Sequence, residues 1–321
     1  MKLNFIVSNQ TNPYWNVAVE NYFVSQPDQG NIVLYLWKNH RTVVIGQNQN
    51  PFSECNIEAL NNDGGYVMRR TTGGGAVYHD DGNINFSFIA PYNLYDQTLQ
   101  FEVIRRALLS FGIECQLSGR NDILCQGRKF SGNAFSKGRH QRLHHGTILI
   151  RGNLDDLQRY LKPKPAKLHK HGVSSVSSRV VNLSELAPID SSNIIPALHD
   201  AFENVYGQEA TTIDFHDIMK ESQVIELYNH FSSPDWIYGH WSSFVANKKG
   251  QFDWGEVEIS ISVDESKDII TDVEIATDAL DTSITEKIRN ILVNSSTSQP
   301  PVIDKMSENS KAIEDIISLI F

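Results

Sequence analysis

Apolar residues recur along this chain at two periods, and each change of period marks an element. "NPYWNVAVENYFVSQ" spaces Trp15, Val19, Tyr22 and Phe23 at helical intervals after the start signal Asn12-Pro13, predicting a helix over 12–26. "IVLYLW" and "TVVIG" predict two strands joined by the polar turn "KNHR". "IEALNNDGG" reads as a short helix closed by glycine. "YVMRR", "AVYHD" and "INFSFIA" predict three strands, broken by Gly73–Gly75 and by Asp81-Gly82-Asn83. The helical period returns at 97–111, where Leu99, Val103, Ala107 and Leu108 share a face. Short strands at 113–150 and helices near 193–206 and 213–230 follow.

The pattern shifts again at 232–250, where aromatic residues sit in turn-like surroundings. "FDWGEVEISISVDESKDIITDVEIATDAL" then alternates like a strand pair, and helices are expected over 282–294 and 307–320. The fold class is therefore α+β: a large mixed-sheet domain over 1–246 with flanking helices, and a small C-terminal α+β domain over 247–321.

Composition sets limits on the partners. The 321 residues are 40% hydrophobic and 21% charged, ordinary values for a soluble globular protein. No apolar run approaches the ~18 residues of a membrane span, and the N-terminus lacks the apolar core of a signal peptide. Cys55, Cys115 and Cys125 show no paired spacing and read as reduced thiols, so a cytoplasmic location is expected. A net charge of -10 argues against nucleic acid, but the charge is unevenly spread. Residues 119–182 hold 13 Lys/Arg against 3 Asp, whereas 247–321 holds 7 against 15 acids. The basic middle is a candidate for an anionic ligand, or simply a solvated surface.

The chemistry gathers in two stretches. In "RRTTGGGAVYHDDGNINFSF" (69–88), three glycines allow φ > 0 and a close approach by the backbone. Consecutive amides of this kind cradle anions; a plain β-turn is the alternative. An arginine forks two bonds to phosphate and stays charged. Neighbours on a strand face opposite ways, so Arg70 is expected to face the glycines and Arg69 the solvent or a surface ion pair. His79 and Asp80 read as local hydrogen bonding at a strand end. Neither a Walker A loop nor a dinucleotide fingerprint is present. The second stretch, "GRNDILCQGRKFSGNAF" (119–135), offers Asn121 and Asp122 before a strand, then Lys129 near the turn Ser131-Gly132-Asn133. Its lysine can oppose an oxyanion or face water. "RLHHGTILI" adds His144, His145 and Gly146, whose adjacent imidazoles point apart and match no zinc spacing. "KHGVSSVSSRVVNL" adds Lys170, Ser174, Ser175 and Arg179 as possible donors.

In this order, "RRTTGGGAVYHDDGN", "GRNDI", "RKFSGNAF", "HHGTILI" and "GVSSVSSRVVNL" resemble the lipoate–protein ligase A family, within the biotin and lipoate attachment enzymes. "FDWGEVEISISV" resembles the accessory domain of the bacterial ligases. The resemblance implies a catalytic domain of biotin/lipoate ligase type and an ATP-dependent reaction in two steps. Lipoate and ATP give lipoyl-AMP and pyrophosphate, and the lipoyl group then passes to a lysine of a lipoyl domain. Carried over by motif, Arg70, Gly73, Gly74, Gly75, Ala76, Val77, Tyr78, Asn121, Asp122 and Lys129 hold ATP. Arg70, Gly74, Gly75, Lys129, His145 and Gly146 hold lipoate. Asp122 is the implied Mg²⁺ ligand, and Lys129 is the catalytic residue that touches both substrates.

The implied partners are lipoyl domains of 2-oxoacid dehydrogenase E2 subunits and the glycine-cleavage H protein, with no nucleic acid and no membrane. Basic groups within 137–170 are expected to receive the acceptor. The C-terminal domain is expected to move about a hinge at 236–250, because an adenylate must be kept from water. The rival within the fold is an ATP-independent octanoyl or lipoyl carrier-to-carrier transferase. It needs an acyl-carrying cysteine, and Cys125, the only candidate, reads as a small core residue.

Overall fold

The computed structural model describes residues 1–119, 121–162, 180–303 and 309–321. Lys170, Ser174, Ser175 and Arg179 therefore lie outside the described residues, as does part of the expected docking region. The first helix, Pro13–Ser25, starts where the Asn12 side chain accepts the Tyr14 N–H at 2.9 Å and Pro13 occupies the first turn. Its Val17, Ala18 and Val19 pack with Val33, Tyr35, Ile89 and Leu143 on one face of an eight-stranded sheet.

That sheet runs, edge to edge, Ala210–Thr212, Lys2–Val7, Asn31–Trp37, Asn83–Pro91, Gln141–Leu149, Arg128–Lys137, Asp122–Cys125 and Gln116–Ser118. The first three strands pair parallel and the others antiparallel, so the sheet is mixed. The central strand Asn83–Pro91 is buried at all nine positions, because helices cover both faces. The second face carries the helices Gln97–Leu109 and Ser191–Tyr206, with Val103, Ala107, Leu198 and Phe202 in its core. Val103, Leu198 and Phe202 each contribute about 1.5–3 kcal/mol by full burial.

Three expectations need correcting. Asn31–Trp37 and Thr42–Ile45 do not pair: the second strand is the centre of a separate three-stranded sheet, between Tyr66–Arg69 and Val77–His79. Val43, Ile45, Val67 and Tyr78 form its own core with Tyr160, and this long-range packing decides the pairing. Leu99 is 36% exposed, and the fully buried Gln100 takes its place on the inner face of its helix. The stretch expected as one helix near 213–230 is two, Phe215–Ile218 and Ser222–Phe231.

The C-terminal part has a core of its own. Strands Lys248–Phe252, Gly255–Asp264 and Ile269–Thr277 form an antiparallel sheet, backed by helices Ile284–Leu292 and Ser310–Ile320. Val257, Ile259, Val273, Ile288 and Ile316 are its buried centre. It meets the larger body through main-chain bonds. Thr277 N–H donates to the Asn48 carbonyl at 2.9 Å, and the Asn48 amide donates to the Thr282 carbonyl at 2.9 Å. Among the described residues no helix is long and apolar enough to cross a membrane.

Candidate active site

A cavity of about 320 Å³ opens between the glycine triplet and the strands Arg128–Lys137 and Gln141–Leu149. A larger one, about 550 Å³, lies where the C-terminal part meets Gln49–Glu54. The larger is lined by Glu54, Glu256, Glu258 and Asp278 against Lys162 and Lys249, a balance unsuited to a polyphosphate. The smaller collects the motif residues and is the candidate site.

Its roof is the glycine loop. Gly74 has φ +92°, a region that side chains rarely adopt, and a Cβ on Gly73 would run into the carbonyl oxygens of Ala279 and Leu280. The close approach that the glycines permit is therefore made by the C-terminal part of the same chain. The Gly74 amide, expected to be open to an anion, donates to the Ala279 carbonyl at 3.1 Å.

Arg70 faces the loop as expected, but it is engaged by the loop itself. Its Nη2 donates to the carbonyls of Gly73 at 2.7 Å and Gly75 at 2.9 Å, and Nε donates to Thr72 Oγ1 at 3.0 Å. Burial pushes its guanidinium down to about 10, still protonated at neutral pH.

Arg69 does not face solvent. It is buried and donates to the carbonyls of Gln47, Gln49 and Ile237 at 2.7–2.8 Å. A strand neighbour turned away from the ligand still needs partners, and here carbonyl ends supply them. Trp236 Nε1 donates back to the Arg69 carbonyl at 2.9 Å. The expected hinge is thus fastened at its start, and Asn247 N–H donates to the Ile259 carbonyl at 2.8 Å, which leaves 245–246, with Val245 76% exposed, as its loosely held part.

Lys129 enters from the opposite wall. Its Nζ lies 2.7 Å from Asp122 Oδ1, with both side chains more than a third exposed. A Cβ on Gly132 would meet this Nζ at 3.0 Å, so that glycine lets the lysine lie across its strand. Asn121 lines the cavity, but its amide is spent on the Asn133 carbonyl at 2.8 Å. Ala76, Val77 and Gly146 also line it. Tyr78 does not: its ring packs near Tyr160 and its hydroxyl turns to Asp156 at 3.4 Å.

The two histidines point apart, as the strand requires. His144 is caged by Phe86, Phe88 and Phe135, and burial pushes its imidazole down to about 3. His145 faces the cavity. Its Nδ1 lies 2.9 Å from Glu20 Oε2 and its Nε2 2.8 Å from Thr72 Oγ1. Glu20, 1% exposed, also accepts from Ser87 Oγ, which in turn accepts Trp37 Nε1 at 2.9 Å. A chain of contacts follows: Arg70 Nε–H donates to Thr72 Oγ1, Thr72 Oγ1 meets His145 Nε2, and His145 Nδ1–H donates to the Glu20 carboxylate. Among the described residues, the His/Asp/Glu group with metal-ligand spacing is His199, Asp200 and Glu203, away from this cavity. Its imidazole nitrogens lie 3.7 Å from Asp200 Oδ1 and 3.7 Å from Glu203 Oε1.

Sequence reasoning missed Glu20, Trp37 and Thr72. The one available signal was an acid in the apolar stretch "NVAVEN", since a buried carboxylate needs dedicated donors.

Residues 12–203 match the family described as "Lipoyl protein ligase A/B catalytic domain", and residues 242–320 match "Bacterial lipoate protein ligase C-terminus". The chain belongs to the lipoyl protein ligase A/B family. A protein of Psychrobacter cryohalolentis called lipoate-protein ligase A is 34% identical over 100% of this chain and 96% of its own length. One of Bdellovibrio bacteriovorus with the same name is 37% identical over 91% and 87%. Among solved structures, P. falciparum LipL1 in complex with lipoate superposes with a TM-score of 0.84 and 31% identity, covering 98% of each chain. A lipoate-protein ligase A bound with ATP shares the fold, with a TM-score of 0.65 and 24% identity over 74% of this chain and 99% of that one.

Within this lipoyl protein ligase fold, Cys125 lies in the core with Ile123 and Phe130, and burial pushes its thiol up. Alternation along Asp122–Cys125 turns it to the face opposite Asp122, and it does not line the cavity. An acyl-carrying thiol would need both access and a thiolate.

Proposed function

We propose that this chain is an ATP-dependent lipoate–protein ligase. In the first step a lipoate carboxylate oxygen attacks the α-phosphorus of ATP, and the bond to the departing pyrophosphate breaks. In the second, a lysine amine of a lipoyl domain attacks the acyl carbon and AMP leaves; the amine loses its proton. The acceptors are the lipoyl domains of 2-oxoacid dehydrogenase E2 subunits and the glycine-cleavage H protein.

The observation that carries this reading is the placement of Lys129. It is the cation at the cavity rim, and among the described residues its ion-pair partner is the half-exposed Asp122 carboxylate. Two anions must meet there, and an ammonium between them cancels the repulsion. Val17, Trp37, Val44 and Met68 give the cavity an apolar side suited to an acyl tail. Arg70 and the glycine amides hold the phosphates, with Ala76 and Val77 along the nucleotide. His145 and Gly146 flank the lipoyl tail. Tyr78, turned away, contributes only its backbone.

Asp122 fits Mg²⁺ as the half-exposed carboxylate that the described residues place on this cavity, since Mg²⁺ takes one or two carboxylates plus substrate phosphates. The ion would neutralise charge on the phosphates. Gly74 reaches a phosphate only after the Ala279 carbonyl withdraws, which supports movement of a C-terminal domain, 247–321, against a catalytic domain, 1–246. A location in the cytoplasm suits the three free thiols.

The test is transfer of labelled lipoate to a lipoyl domain lacking its modification. The label is expected on lysine only when ATP is present, with one AMP released per acyl group. Transfer from an acylated carrier without ATP, or no transfer, contradicts the proposal.

A further inference from the structure

Among the described residues, one buried donor at this cavity has no partner. His79 is 4% exposed, lines the cavity, and its Nε2 makes no hydrogen bond. Its neighbours settle which nitrogen carries the proton. The Asn16 amide atom 2.7 Å from the Lys38 carbonyl must be nitrogen, and it also donates to Asn39 Oδ1 at 3.1 Å. Asn39 therefore presents its own Nδ2 to His79 Nδ1, 3.3 Å away. Nδ1 accepts, so the proton of the neutral ring sits on Nε2. Tyr35 and Ser8 donate to Asn16 Oδ1 at 3.0 and 2.6 Å and hold the first amide in place. Burial, with Arg70 and His145 nearby, pushes the imidazole down to about 3, so it stays neutral at neutral pH.

The strand carries His79 along the cavity wall away from the glycine loop. Val77 and His79 share the cavity face while Tyr78 turns away. His79 lies four residues beyond Gly75, roughly 13 Å along an extended chain. Trp37 stands beside it, ring centroids 6.3 Å apart. The other polar side chains at this end are already engaged. Glu20 and His145 hold each other, and Asn85 bonds Asn83 and the Trp37 carbonyl.

We infer that His79 is a specificity-determining residue whose Nε2–H meets the tail of the bound acid and favours the cyclic disulfide of lipoate over the bare methyl of octanoate. This rests on the ligase reading above. A methyl tail offers this buried N–H no acceptor and leaves it unpaired, the costly state. A ring sulfur is a weak acceptor, but it keeps the donor in partial contact. An entirely apolar end would separate the two acids only weakly, as hydrophobic pockets do.

The test is calorimetric titration of the full chain with lipoate and with octanoate, for wild type, His79→Phe and His79→Gln. Wild type is expected to favour lipoate. His79→Phe should narrow that preference by about ten-fold, the equivalent of about 1.4 kcal/mol. His79→Gln keeps an acceptor for Asn39 and a donor for the tail, and should retain the preference. On wild type alone, 6-methoxyhexanoate, of equal chain length with an ether oxygen near its tail, should bind at least as tightly as octanoate. An unchanged ratio in His79→Phe, or clearly weaker binding of the ether, overturns the assignment while leaving the ligase reading intact. If wild type binds neither acid, the ligase reading itself fails, and this role with it.

Discussion

The two ends of the cavity are built on opposite plans. At the closed end each polar group sits in a buried chain: Asn16 to Asn39 to His79, and Thr72 to His145 to Glu20. At the open end the functional groups hold exchangeable partners. Lys129 pairs with a half-exposed Asp122, and the Gly74 amide holds a carbonyl from the C-terminal part. A site that must keep one tail in place while phosphates, pyrophosphate and an acceptor lysine come and go needs this asymmetry. Preorganised donors select; exchangeable ones let the reaction proceed.

The sharpest way to break the contrast is at the open end. Lys129→Ala is expected to slow adenylate formation by at least ~10²-fold, the loss of the ammonium that faces the developing charge. Its melting curve should hardly change, because an exposed pair contributes under about 1 kcal/mol to stability. Glu20→Ala should do the reverse. It leaves the His145 N–H and the Ser87 hydroxyl without their acceptor and should cost about 3 kcal/mol in urea unfolding. A stability loss under ~1 kcal/mol would show that the chain is not locked.

Acid should weaken the sheet interior before it touches the rim. His79 and His144 are held near 3, against about 6.5 in an unfolded chain. Between these values the unfolded state binds more protons, so stability falls as pH drops below about 6.5. From there to pH 5 the loss is about 2 kcal/mol per histidine, read as a shift in denaturant midpoint. A flat profile over that range contradicts the burial of both rings. The smallest effect is expected at the seam. Gly73→Ala puts a Cβ against the Ala279 and Leu280 carbonyls, which should loosen the C-terminal part and speed protease cleavage at 245–246 a few-fold. Unchanged cleavage would mean that the contact does not hold the two parts together.

Local pattern was enough to read most elements, because amphipathic periods and caps are short-range. Asn12-Pro13 started its helix, and the glycine loop opened onto a strand. The partners of Thr42–Ile45 were illegible, since a strand's alternation says which face is buried and not which neighbour pairs. At the site, the motifs named Lys129, Arg70 and the glycines correctly as cavity residues. They could not show that Arg70 would be engaged by its own loop, nor that Gly73 makes room for residues two hundred positions away. Glu20 carries no motif and Thr72 stands inside one without a role, and only the fold brings them to His145. His79 looked like a strand-end residue until the amide chain through Asn39 assigned its proton.

The central claim is that this cavity joins an acid to a nucleotide before any acceptor protein arrives. Pyrophosphate release on adding lipoate, ATP and Mg²⁺ to the purified chain alone tests it most directly. The account predicts a burst of about one pyrophosphate per enzyme, which lapses without lipoate. Absence of that burst, or pyrophosphate appearing only with an acceptor protein, would contradict it.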